Sequence, residues 1–529
     1  MTPDERTVRR ADLLAAAAGV LLVAAAAAVG TVIQHANGSL HVNWPPLYAS
    51  WFPHLGPGTP AALAVAAAVI ACGPPLAARL PWRALVPAAW AATLAWTLSL
   101  ALIDGWQTGV AGRLTTKYEY LTVIRRFDDL GPTLRDYTAH ILNNAPDHWP
   151  AHVAGHPPAA VLTFVGLDRI GLGGGAWAGL WCLVLGTSAV TAVLIALRAL
   201  TDETTARRAA PFLVLAPAAV WVGTSADGYF AAVAAWALAL LALAATRRGP
   251  SRVPAALGAG LLFGLTCYLS YGLTLIAVIA AAVLLITRTT RPLPLVLAGI
   301  LAVAAAFTLA GFNWWEGYRL LVERYYQGAA SVRPYAYWVW GNLACTVLIT
   351  GLATVAGLRH TLAAAPLALR PLLPSRATPK PESVSESASV SESAFEYRSV
   401  SPSPTRSRFD FPPKPAARAE SRVESRAGSR SGARSESQAD SPTEALSLSQ
   451  PLPLAPRARL VILVGAALAA LLVADLSGMS KAETERIWLP FALWLLPATA
   501  LLPASSHRHW LTAQAVMALL VNHLLYTGW

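Results

Sequence analysis

Runs of about 20 apolar residues recur along almost the whole chain, and no other feature constrains its fold as strongly. Inside hydrocarbon every backbone N–H and C=O has to be satisfied within the protein, so each such run is read as a membrane helix. The criterion yields about thirteen spans, at 13–33, 61–78, 84–103, 176–197, 209–222, 229–245, 253–269, 271–287, 293–312, 335–358, 461–474, 487–502 and 510–526. Composition points the same way: 55% of the 529 residues are hydrophobic and 13% charged, where a soluble domain carries roughly a quarter charged residues. The expected fold class is therefore an all-α polytopic membrane protein. A net charge of +12 raises the question of nucleic acid. Lys and Arg, however, cluster in short connections and one polar segment rather than on an amphipathic face, so nucleic acid is set aside as a partner.

Cys72, Cys182, Cys267 and Cys345 all fall within apolar runs without paired spacing, which reads them as small buried hydrophobes. The first apolar run exceeds the ~7 to 15 residues of a signal-peptide core and is expected to be a retained anchor. Orientation follows from the bias of Lys and Arg towards the cytoplasm. Arg6, Arg9 and Arg10 precede the first span, and alternate connections carry Arg79 with Arg83, Arg207 with Arg208, Arg288 with Arg291, and Arg359. The N-terminus is thus expected in the cytoplasm of a multi-pass cell-membrane protein, with the long loop 104–156 outside. That parity requires 156–170 to lie along the membrane without crossing it. Organisation then reads as a transmembrane bundle over 1–370, a Ser/Arg/Glu/Pro-rich disordered cytoplasmic insertion over 371–456, and C-terminal membrane helices over 457–529.

The 104–156 loop is long and charged for a bundle connection, and such loops usually carry function. Glu119, in Tyr118-Glu119-Tyr120, can serve as a general base if the loop folds back over a cavity. Asp104, Asp128 and Asp129 compete for that role. The loop closes at Gly155-His156-Pro157-Pro158, whose prolines impose an extended backbone, and His156 can donate to a phosphate. His148, His152 and His156 recur every four residues, but Pro150 and Pro157 interrupt any helix that would align them, so a metal site is not expected. Asp227 opens a later span, where it either caps the helix, alongside Ser225, or serves a site.

Farther along, 313–340 is rich in Trp and Tyr, which fits an interfacial aromatic belt. The charged residues beside the aromatics, Glu316 and Arg333 among them, suggest a substrate-binding surface. In the last outer connection Lys481 and Arg486 run against the orientation bias and can hold an anionic headgroup, Arg by a two-pronged fork.

In order, these elements are an acidic residue early in the first long outer loop (Glu119), a His-Pro-Pro closing it (His156-Pro157-Pro158), and an Asp opening a later helix (Asp227). Together they resemble the GT-C superfamily of membrane glycosyltransferases, which includes protein O-mannosyltransferases, aminoarabinose transferases and actinobacterial arabinosyl and mannosyl transferases. The resemblance runs from about Asp104 to Phe312 and more weakly to the last spans. It implies a polyprenyl-phosphate sugar donor bound at the outer leaflet and a glycan or protein acceptor. Glu119 would be the base, Asp227 a supporting residue, and Lys481 or Arg486 a contact for the donor phosphate; dependence on a divalent metal stays open. The chain departs from the pattern in having Glu where Asp is usual and in two additional N-terminal spans. The competing class is a transporter or flippase of a lipid-linked substrate, which would carry broken or ionisable helices at mid-membrane depth.

Overall fold

A computed structural model describes residues 3–247, 249–370 and 454–527. The polar insertion read at 371–456 lies outside them as far as residue 453. The described residues form one compact unit in which the helices after the insertion pack among those before it.

Eight helices are long and apolar enough to cross a membrane, or ten if each of two bent pairs counts as one span. The protein is thus an all-α, multi-pass membrane protein. The count falls below the thirteen apolar runs because several runs fold as shorter or broken pieces. The run at 209–222 becomes Glu203–Val214, with Pro211 inside it, and Ala219–Val222, with Pro217 at the break. The run at 487–502 becomes Leu489–Ala492 and a 3-10 turn at Leu496–Leu501, interrupted by Pro490 and Pro497. Proline removes a backbone donor and clashes with the preceding turn, so helix length stops reporting on span length there.

The helix Ala226–Thr246 is the centre of the bundle: 72% of its most apolar window is buried, against 17% for Thr59–Arg79 at the periphery. It packs along Gly175–Leu200 on one side and Arg252–Leu269 on another. Small residues bring the next pair, Arg252–Leu269 and Leu293–Leu309, closer still. A Cβ added to Gly299 would lie 2.6 Å from the Leu261 nitrogen, and one added to Gly260 would collide with the Val296 carbonyl. In lipid, where water does not drive helices together, such close backbone approach is a main source of adhesion.

The 35-residue helix Pro3–Asn37 runs antiparallel to two pieces, Tyr335–Thr350 and Leu352–Leu369, joined at Gly351 (φ 83°). Tyr337 donates to the Ala26 carbonyl (2.9 Å), and Arg359 pairs with the buried Asp12 (2.6 Å) near the far end. The end of the bundle that carries 102–174 also carries the start of Ala226–Thr246 and the connection 477–488. There the connection after the first helix is fastened to the C-terminal segment. Ala49–Trp51 pairs antiparallel with Leu525–Thr527, the only sheet among the described residues.

Candidate active site

Aromatic packing folds the long loop back onto the bundle. Phe127 stacks on Trp149 with ring centroids 5.6 Å apart, Arg126 lies 3.6 Å over the same indole, and Trp149 Nε1 donates to the Tyr137 carbonyl (2.9 Å). The Tyr137 hydroxyl donates to the carbonyls of Val153 (2.8 Å) and His156 (3.1 Å), fixing the short helix Ala151–Gly155 that begins just after Pro150. His152 lies on that helix, and its amide donates to the Tyr118 carbonyl (3.1 Å). The two halves of the loop meet there, one residue from Glu119.

Four side chains then form a continuous buried cluster. Glu119 Oε1 is 2.9 Å from His152 Nδ1, His152 Nε2 is 3.3 Å from Arg486 Nη2, and Arg486 Nη1 is 2.8 Å from Asp227 Oδ2. Their exposures run from 5% to 7%, so the charges interact with little screening by water. Arg486 Nη2 also lies 3.4 Å from Glu483 Oε2, the most exposed carboxylate of the group. Burial alone would lower the Arg486 guanidinium, but Asp227, then Glu483 and Glu119, outweigh it and raise it above its ordinary value. Glu119 Oε2 is buried and makes no hydrogen bond among the described residues.

Asp227 does not cap its helix. Ser225 does, its Oγ accepting from the Gly228 amide (3.2 Å), and the Asp227 carboxylate faces Arg486 from the first turn, where the helix dipole favours an anion. His156 stands beside the cluster. Its Nδ1 donates to the His152 carbonyl (2.7 Å) and lies 3.1 Å from the Tyr120 hydroxyl, while Phe164 stacks on the other side of Tyr120. Burial lowers the His156 imidazole to about 4 against the opposing pull of Asp227, so it is neutral at physiological pH. Burial likewise raises the Tyr120 phenol well above its usual value, with Asp227 and Glu119 adding to it.

The connection that delivers Arg486 is strained. Ala482 (φ 73°) and Glu483 (φ 62°) are consecutive non-glycine residues in the left-handed region, a conformation that persists only where its surroundings enforce it. Lys481 and Arg333 do the enforcing. Lys481 Nζ donates to the Ala330 carbonyl (3.0 Å), and Arg333 donates to the carbonyls of Leu40 (3.0 Å) and Lys481 (2.8 Å) while lying 3.8 Å from Glu483. Asn342 adds a third tie, donating to Asp475 (2.8 Å) and to the Ser480 carbonyl (2.7 Å).

Of the residues singled out in the sequence, Glu119, Asp227, His156 and Arg486 therefore come together. Arg333 and Lys481 brace the backbone that carries Arg486. Glu316 has no hydrogen bond or ion pair to this cluster among the described residues. It lines a separate pocket of about 310 Å³ with Thr138, Asn144 and Leu320. Two of the three rival carboxylates have other employment: Asp104 pairs with Arg113 (2.7 Å) and His54 (2.9 Å), and Asp129 caps the Leu130–Arg135 helix. Sequence alone does not mark His152 or Glu483 as site residues. The signal for His152 was its place four residues before His156, legible once Pro150 is taken as a helix start. Among the described residues, no group of three His, Cys, Asp or Glu is placed to hold a metal ion.

Comparison of the chain with protein-family models, with curated proteins and with solved structures gives no match.

Proposed function

We propose that the protein is a membrane glycosyltransferase of the GT-C type. It moves a sugar from a polyprenyl-phosphate donor to a hydroxyl of a glycan or protein acceptor on the outer face of the cell membrane. The observation that carries this reading is the meeting of a buried carboxylate with one unengaged oxygen, Glu119, and a buried guanidinium, Arg486, across a single imidazole.

In this reaction Glu119 Oε2 accepts the proton of the acceptor hydroxyl, and the acceptor oxygen forms the new bond to the anomeric carbon. The bond from that carbon to the phosphate oxygen breaks, and polyprenyl phosphate departs as the leaving group. Arg486 stabilises the phosphate, which draws Nη2 from Glu483 and His152 while Asp227 keeps the guanidinium oriented. His156, whose one hydrogen is spent on the His152 carbonyl, leaves Nε2 as an acceptor for a hydroxyl of the donor or the acceptor.

The topology belongs to the same proposal. It has thirteen crossings, counting the broken pieces, with the N-terminus and 371–456 in the cytoplasm and 104–156 outside. Arg79, Arg83, Arg207, Arg208 and Arg359 lie at the end opposite the cluster, as the cytoplasmic bias of basic residues requires.

The test supplies purified protein with a panel of radiolabelled polyprenyl-phosphate sugars and compares the native chain with Glu119→Gln. The expected result is a loss of about 10²-fold or more in transfer at unchanged thermal stability. Equal transfer by both proteins would remove Glu119 from the role. No transfer from any donor, with protein-dependent movement of the lipid across vesicles, would favour the flippase instead.

A further inference from the structure

Resting on that reading, we propose that His152 is a positioning residue that couples anion binding at Arg486 to the alignment of Glu119. It lies between the two, its Nδ1 2.9 Å from Glu119 Oε1 and its Nε2 3.3 Å from Arg486 Nη2.

The neighbours assign its tautomer. A guanidinium N–H only donates, so Nε2 presents its lone pair to Arg486; in the neutral ring the hydrogen then sits on Nδ1, which lies 2.9 Å from Glu119 Oε1 in a contact bent away from hydrogen-bond geometry. The ring is held in that pose from several directions. The His152 amide is bonded to Tyr118, the His152 carbonyl accepts from His156 Nδ1, and the Tyr120 ring lies 6.2 Å away, centroid to centroid. The charged and titratable groups around it are Glu119, Tyr120 and His156 from the loop, Asp227 from the central helix, and Glu483 and Arg486 from the connection 477–488.

Two consequences follow from the arrangement. With Oε1 engaged by the imidazole, Oε2 is the oxygen left to meet an acceptor hydroxyl, so His152 selects the reacting oxygen of the base. Because Arg486 Nη2 is shared between His152 and Glu483, a phosphate that draws this nitrogen away loosens one of the two tethers on the ring. The base is then re-aimed only when an anion has arrived. An orienting partner of this kind acts through geometry, and displacements of about 1 Å at a reacting group cost on the order of 10²-fold in rate.

The experiment has an arm that needs no turnover. In full-length protein carrying 15N-labelled histidine, with the His152 signal identified by its loss in His152→Ala, the neutral ring should show the Nδ1–H tautomer. Its Nε2 resonance should move on adding polyprenyl phosphate and not on adding the uncharged polyprenol. An Nε2–H tautomer, or no response to the phosphate, overturns the proposal. The second arm is kinetic. His152→Ala should lower kcat about 10²-fold with KM little changed, while His152→Gln, whose amide offers a donor to Glu119 and an acceptor to Arg486, should recover at least 10-fold of that loss. Thermal unfolding of both variants separates misfolding from misalignment. If transfer depends on Glu119 but His152→Ala turns over like the native chain, the coupling fails and the transferase stands. If the tautomer and the phosphate response appear with no transfer from any donor, the transferase fails and the bridge stands.

Discussion

At the scale of single residues, the connection bearing Arg486 also carries a carboxyl whose ionisation works against the fold. Glu485 is 0% exposed. Its Oε1 accepts from the Tyr48 amide (2.9 Å), and its Oε2 is buried without a hydrogen bond among the described residues. Burial raises it to about 7, with Glu483 adding to the shift and the backbone donors and Arg486 opposing it. A raised carboxyl contributes stability that is complete below its unfolded value near 4.5 and is lost as pH rises towards about 7. Glu485→Gln keeps the acceptor for Tyr48 and removes the charge. It should therefore raise the unfolding temperature in detergent at pH 8 and leave it nearly unchanged at pH 4.5; an equal effect at both would refute the assignment. His156 runs the other way. Its lowered imidazole makes the folded state bind fewer protons between about 4 and 6.5, so its share of stability is present above 6.5 and lost as pH falls. His156→Gln should flatten the acid side of the stability profile over that window, and a profile of unchanged slope would count against it.

Elements are joined here by closeness of backbone more than by bulk. The helices Arg252–Leu269 and Leu293–Leu309 cross where Gly260 and Gly299 face each other. Gly260→Val has to push its side chain into the Val296 carbonyl, and overpacking of this kind typically costs about 1–3 kcal/mol. Gly465, inside Pro456–Leu476, meets nothing within 4 Å. Gly465→Ala should therefore be neutral or gain up to about 1 kcal/mol from helix propensity. Thermal unfolding of the two variants side by side decides whether helix contact or mere apolarity holds this region. The Gly260/Gly299 pair could not be picked out beforehand, because glycines are scattered through Ala-rich runs that look alike. Only the crossing point distinguishes the two glycines that touch from those that face lipid.

For the molecule as a whole, the C-terminal segment is built into the loop-bearing face. Arg113 donates to the Thr527 carbonyl, pairs with Asp104, and lies 5.1 Å from the Tyr526 ring. Removing 525–529 would strip the partner strand from Ala49–Trp51 and leave Arg113 half-satisfied in a buried position. The truncated protein should show earlier proteolysis of the 38–58 connection than the native chain, and an unchanged cleavage pattern would argue that the pairing is dispensable. The insertion is expected to be expendable for chemistry. Leu352–Leu369 and Pro456–Leu476 pack directly against each other, so replacing 374–451 with a short Gly/Ser linker should preserve the assembled bundle and, on the transferase reading, its activity.

What the sequence determined by itself was the solvent. Long apolar runs leave a backbone no choice but helices in a bilayer, and that much needs no knowledge of neighbours. It also marked the loop that returns to the bundle and four residues that converge, Glu119, His156, Asp227 and Arg486, because charge beside hydrocarbon is costly enough to be conspicuous. Tertiary structure alone decided which charges do what. Arg333 reads like part of a substrate-binding surface and Lys481 like a headgroup ligand, yet both tie down the backbone around a strained turn; Asp227 reads equally as a cap or a site residue and leaves capping to Ser225; and His152 becomes a bridge only because Glu119 and Arg486 arrive on either side of it. The physical reason is range. Burial in lipid is a property of each segment along the chain, whereas a hydrogen bond or ion pair is settled within about 3 to 4 Å, between residues the sequence places hundreds of positions apart.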